Sequence, residues 1–268
     1  DIDFLGKAIS VRSSSGSAGA CTIDCGGTEE DNHRAFWFHS GEGPAATVEN
    51  ITIVNGYVDS NGGGILCEEE SSPTLSGLVI ANCTARGDAP TNRIWPKGGG
   101  LCLKSGSKSM VESCSFISNL AGGGGGACCY DASPWITKCR FESNEAGLGG
   151  GLEVFLSRFE EASITKCVFV GNRGGSGGAM FFQEVETMVA DCVSSGNRGI
   201  SGGAVFCHDA SPYLFRCISF KDTADMNGAA LHCQDHCEPQ VVSCTFTHGY
   251  LDAERSGSLV HLTDEVHA

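Results

Sequence analysis

Basic side chains are scarce in this chain. Lys and Arg number 17 against 32 Asp and Glu, a net charge of −15. So acidic a chain does not hold a phosphate backbone by bulk electrostatics, which excludes a nucleic-acid partner of that kind. Long hydrophobic runs are missing too. No stretch approaches 18 consecutive apolar residues, so the sequence predicts no membrane-spanning helix. The Leu-x-x-Leu-x-Leu pattern of leucine-rich repeats is absent, and so is the 3.6-residue apolar spacing of helical repeats. The chain begins at Asp1 with neither Met nor signal peptide, which reads as a mature or excised segment of a longer protein.

Glycine and cysteine are abundant. The 38 glycines are about 14% of the chain, roughly double the usual share. They recur in groups: Gly62-Gly63-Gly64, Gly98-Gly99-Gly100, Gly124-Gly125-Gly126, Gly149-Gly150-Gly151, Gly177-Gly178 and Gly202-Gly203, with Gly228-Ala229 and Ser256-Gly257 as weaker copies. Most steps are 25 to 28 residues. A second column is phased with the first: Cys114, Cys139, Cys167, Cys192, Cys217 and Cys244. Asn50 and Gly77 are read as its earlier members. Five residues on lies a third column of Asn55, Asn82, Asn119, Asn144, Asn172 and Asn197, followed by Asp222 and Gly249. Phased columns at this interval signal a repeat architecture.

Each copy reads as three short strand-like runs separated by Gly, Ser-Pro or Asn, as in 151–154, 162–165 and 167–169. One copy is then one coil of an all-β, single-stranded right-handed parallel β-helix. About eight to ten coils are expected, each advancing about 4.8 Å. Residues 1–45 are expected as atypical early coils, 46–262 as regular repeats and 263–268 as a tail or the start of another coil. Asparagine tolerates left-handed backbone and its amide bonds to the next copy, so it suits a stacked turn. Cys and Phe two residues apart (Cys114/Phe116, Cys139/Phe141, Cys167/Phe169) share one face, assigned here to the interior.

The motifs Phe116-Ile-Ser-Asn119, Phe141-Glu-Ser-Asn144 and Phe169-Val-Gly-Asn172, with Gly-Gly-Ala-Met at 177–180 and Gly-Gly-Ala-Val at 202–205, resemble the F-x-x-N and G-G-A-[ILV] repeats of chlamydial polymorphic outer-membrane proteins. More widely, the chain resembles parallel β-helix repeat proteins of pectin-lyase-like fold. The resemblance covers about residues 45–260. It implies an extracellular or cell-surface location and a structural or adhesive role within a larger protein or assembly. The same fold implies an alternative, a carbohydrate-active enzyme or a glycan-binding module. Of the carboxylate motifs that polygalacturonase-like enzymes carry (Asn-Thr-Asp, Asp-Asp, Gly-His-Gly, Arg-Ile-Lys), none occurs. No catalytic residue, cofactor or metal ligand is assigned. The acidic groups at 29–31, 68–70 and 160–161 read as solvated surface.

Five features remain as candidates. If the strand after each glycine group points its first and third residues inward, Tyr130, Phe155, Met180, Phe182, Val205 and Leu231 form an apolar outer face. Such a face suits contact with another protein chain, ahead of a sugar-stacking platform; a local register shift or cover by a loop of this chain is the alternative. The step from Gly64 to Gly100 is 36 residues, about ten above the rest, and the excess lies in 84–97. Arg86, Asp88 and Trp95 mark it as a binding loop, with polysaccharide as a further partner class. Cys102 with Cys128, and Cys207 with Cys233, are candidate disulfides on adjacent coils. The run His232-Cys233-Gln-Asp-His236-Cys237 admits zinc as an alternative to a bridge or plain thiols. Asn50 and Asn82 fit the N-glycosylation pattern.

Overall fold

The computed structural model describes residues 1–87, 95–156, 162–251 and 259–263. The chain winds as a parallel β-helix in which each coil contributes a strand to each of four sheets. We label these A to D in chain order. In one coil they are Ala127–Tyr130 (A), Trp135–Thr137 (B), Arg140–Glu142 (C) and Glu145–Leu148 (D). Sheets A, B, C and D hold ten, nine, nine and eight strands among the described residues. Each strand pairs in parallel with the equivalent strand one coil away.

Three strand runs per copy were expected, and sheet D is the addition. Its strands, such as Arg173–Ser176 and Arg198–Ser201, are rich in Gly and charge and carry no strand propensity of their own. Stacking on their neighbours makes them strands. The early segment supplies Ile2–Asp3, Ser10–Arg12 and Thr22–Asp24 to the starts of sheets A, B and C. Phe36–Phe38 is the second strand of sheet A, and its Phe36 and Phe38 pack with Phe4 under that end of the core.

The B–C and C–D corners share one construction. A residue in the left-handed region turns the chain, and the next residue points inward. At B–C the turning residues include Asn50, Gly77, Ser113, Lys138, Lys166, Asp191, Arg216 and Ser243. At C–D they include Asn55, Asn82, Ser118, Ser143, Gly171, Gly196, Lys221 and His248. The inward residue at B–C is Ile51, Leu78, then the cysteine column; at C–D it is Cys83, then Asn119 onward. Asn50, Asn55, Asn82 and Gly77 therefore lie one position away from the ladders assigned to them. In the second and third coils Asn does the turning, and from the fourth coil on Asn is the inward rung.

The interior is continuous along the axis. Phe116, Phe141 and Phe169 stack at 4.8 and 4.7 Å between ring centroids. Each such ring removes about 1.5–3 kcal/mol worth of apolar surface from water. The Nδ2 of Asn119 donates to Oδ1 of Asn144 at 3.0 Å, and the series continues through Asn172 and Asn197 to Asp222 at 2.9, 2.8 and 2.8 Å. The same amides donate to backbone carbonyls of the preceding coil, so every buried rung is satisfied on both sides.

Candidate functional site

Three surfaces carry side chains that could act: the outer faces of sheets A, B and D. On sheet A, Leu152 pairs with Met180 and Val154 with Phe182. The third member of the glycine triplet is Ala in the later coils (Ala179, Ala204, Ala230), and counting from the last Gly there misplaces the strand by one. A one-residue slip exchanges the faces of a strand. Met180, Phe182, Val205 and Leu231 are consequently core residues, at 6% exposure or less. Of the six residues expected on the outer face, Tyr130 and Phe155 lie there, stacked at 5.4 Å.

An outward column of sheet A runs Leu66, Cys102, Cys128, Glu153, Phe181, Phe206, His232 and His261, with Cys102, Cys128 and Glu153 outward as expected and Phe181 and Phe206 on the opposite side from the one expected. Leu66 to His232 are all buried, although they face away from the core. The glycine corners fold over them. A Cβ on Gly62 would lie 2.9 Å from the Leu66 Cβ, and one on Gly98 would lie 2.8 Å from the Cys102 Cβ. Phe181 and Phe206 stack at 5.5 Å, and the His232 ring follows 4.8 Å from Phe206, tilted by 47°. Burial and the neighbouring His261 push His232 down to about 4, so it is neutral at physiological pH.

The charges on this face are paired. Glu68 accepts from Trp37 Nε1 at 2.7 Å and meets Lys104 Nζ at 2.7 Å. Burial works against its charge, but Lys104 and Trp37 outweigh it and hold the carboxyl below its ordinary value. This corrects the reading of Glu68 as solvated. Glu153 is 1% exposed; its Oε1 receives Lys97 Nζ, while its buried Oε2 has no hydrogen-bond partner. Burial opposes the charge on Lys97 as well, yet Glu153 keeps the ammonium above its usual value. Lys97 also lies 5.4 Å over the Phe155 ring. These carboxylates join coils. Engaged in ion pairs, they are not presented to a substrate as an acid and base of defined separation.

All sixteen cysteines are free thiols. Cys102 with Cys128 and Cys207 with Cys233 do sit opposite one another on adjacent strands, the first pair under the glycine corners and the second in the core. Neither pair is bridged. Parallel strands in register keep Cβ atoms about as far apart as the strands, roughly 4.8 Å, beyond the roughly 3.5–4.5 Å of a disulfide. Cys114, Cys139, Cys167, Cys192 and Cys217 are buried in the core, with Cys244 packed at its end. Burial pushes the Cys114 thiol well up. As for zinc, Cys207 and Cys233 point inward, whereas His208 and His236 point outward to Asp235 and Asp209, each at 3.0 Å. Among the described residues, no group of three or more His, Cys, Asp or Glu converges on a metal position.

The family described as "Right handed beta helix region" matches residues 7–181, well over half of the chain. The chain belongs to that family. No curated protein and no solved structure matches it. Two surfaces of this β-helix remain open. On sheet D, Glu29, Tyr57, Asp59, Thr84, Arg86 and Leu120 line a groove of ≈ 820 Å³. Arg86 thus lies at a concave polar surface. Trp95, 53% exposed, lies against Gly122 and is not part of that lining, and Asp88 lies outside the described residues. On sheet B, the first outward position is Met110, Trp135, Ser163, Met188 and Tyr213 on successive rungs. Its four large residues are 40, 50, 38 and 37% exposed. The sequence signal for this ladder is the x of Ser-Pro-x-Ile, as in Ser133-Pro134-Trp135-Ile136, which points away from the buried Ile.

Proposed function

We propose that this β-helix is a non-catalytic, extracellular or cell-surface structural or adhesive module whose outer sheet B face contacts another protein chain. The observation that carries the reading is the ladder of Met110, Trp135, Met188 and Tyr213, four large exposed side chains at one outward position of sheet B, with Ser163 between the second and third. Exposed apolar residues scattered singly are ordinary, but an aligned set of aromatic and Met side chains has the composition of an interface centre. Its edges are polar: Lys138 meets Glu112 at 2.8 Å, and Arg216 meets Asp191 through two contacts of 2.7 Å. The engaged carboxylates of sheet A support the non-catalytic part.

Replacing Trp135 and Tyr213 by Ser is expected to leave the melting temperature nearly unchanged, because neither packs in the core. Association should weaken by about 10-fold or more, the scale of one interface anchor. Sedimentation of the native assembly from its source reads this. A variant that sediments with the same large complex as the wild type sinks the proposal. The sheet D groove, with Arg86 and Tyr57 in its lining, favours a second reading, a polysaccharide-binding module. Retention on a polysaccharide panel that is lost in Arg86→Ala would select it; new reducing ends would select the enzyme.

A further inference from the structure

We infer that Cys233 and Cys237 form a thiol–disulfide pair that closes the A–B corner of the last full coil. The stacked cysteines elsewhere belong to different coils, one above the other, on paired strands or at equivalent corners. Here both residues belong to one turn. Leu231–Gln234 ends at Gln234, Asp235 adopts φ 55°, and the chain folds back so that Cys237 packs against the core. The corner is one residue longer than the one before it. Residues 209–212 join the strands in the preceding coil and 235–239 join them here, since His208 pairs with Gln234 and Tyr213 with Gln240. The extra residue puts a sulfur where the preceding coil has Ala210. Cys237 Sγ donates to the Gln234 carbonyl at 3.1 Å and accepts from Ala210 N–H at 3.5 Å. The Cys233 thiol hydrogen-bonds with both Cys207 and Cys237. Three sulfurs meet, and one pair converges from within a single turn.

Access differs between the two. Cys237 is half-buried and Cys233 is 2% exposed, so an oxidant meets Cys237 first. A low-molecular-weight disulfide such as oxidised glutathione supplies the electron acceptor. The Cys237 thiolate attacks one sulfur of it, giving a mixed disulfide and one released glutathione thiolate. The Cys233 thiolate then attacks Cys237 Sγ and expels the second glutathione. Two protein thiols and one glutathione disulfide become one protein disulfide and two glutathione thiols; the protein loses two electrons and two protons. Cys207 stays a thiol, held in register beneath.

The test equilibrates the full chain in glutathione buffers from reducing to oxidising, quenches with an alkylating agent and maps the peptides. A Cys233–Cys237 link, two hydrogens lighter, with Cys207 alkylated, is the expected result. Cys237→Ser should abolish that link while leaving the circular dichroism spectrum unchanged. A Cys207–Cys233 link overturns the assignment. So does glutathione retained on Cys237 with Cys233 alkylated, or alkylation of both cysteines at every poise. The outcome is independent of what binds sheet B.

Discussion

Asp222 ends the asparagine ladder with a carboxylate where the preceding rungs carry amides. The change is matched nearby. The inward Phe column gives way to Ser194 and Ser219, and both hydroxyls donate to Asp222 Oδ2, at 2.7 and 2.6 Å. Asn197 donates through its backbone N–H and its Nδ2 to Oδ1, each at 2.8 Å. Burial nevertheless raises the carboxyl above its ordinary value, against these hydrogen bonds. A folded value above the unfolded one means that this group's stabilising contribution is complete at low pH. It is lost as pH rises through the folded value. Asp222→Asn should therefore gain stability relative to the wild type between pH 4 and pH 7. Asp222→Ala, which strands several buried donors, should cost about 3 kcal/mol. Urea midpoints at the two pH values check both; an Asn variant offset equally at each pH removes the titration argument.

Lys97 shows how one element is tied across several coils. It occupies the end of the sheet D path, paired with Gly123, yet its ammonium reaches Glu153 on sheet A. Gly123 is what lets it pass: a Cβ there would fall 2.1 Å from Glu153 Oε2. Lys97→Met leaves a buried carboxylate alone and should cost about 3–5 kcal/mol, whereas Lys97→Met with Glu153→Leu should recover most of that. Equal losses in the single and double variants, read by urea unfolding, would show that the pair contributes only packing. This clamp escaped the sequence reading because its partners are 56 residues apart and neither residue type repeats at its position in the other coils. The repeat itself was legible, since stacking forces the same residue type onto the same corner. Face assignment was legible only while the triplet stayed all glycine. Once Ala took the third place the strand began one residue later, and Met180 and Phe182 changed sides. Sheet D had no signal of its own, because pairing rather than propensity makes Arg173–Ser176 a strand.

At the scale of the whole molecule, strand pairing joins each coil only to the coils before and after it, so stability is close to a sum of nearest-neighbour terms, with the Lys97–Glu153 pair as an added tie across two coil steps. End coils lack one neighbour. Opening should then require little free energy at the ends and approach the global value in the middle. The cysteines report this along the axis. Cys21 and Cys25 near the start, and Cys237 and Cys244 near the end, are half-buried, while the twelve between them are buried. Val241, the inward residue of the last described sheet B strand, is 42% exposed, against 0% for its counterpart Val189 two coils earlier. In fully reduced protein without denaturant, a pulse of iodoacetamide should modify Cys21, Cys25, Cys237 and Cys244 first. Cys139 and Cys167 should stay protected until global unfolding, with protection falling off toward Cys217. Labelling of Cys167 as fast as Cys21 would mean that the middle coils open independently of the ends, and the nearest-neighbour picture would fail. Uniform protection of all sixteen would instead mean that something covers the end coils, and the thiols at both ends would then sit inside a larger assembly.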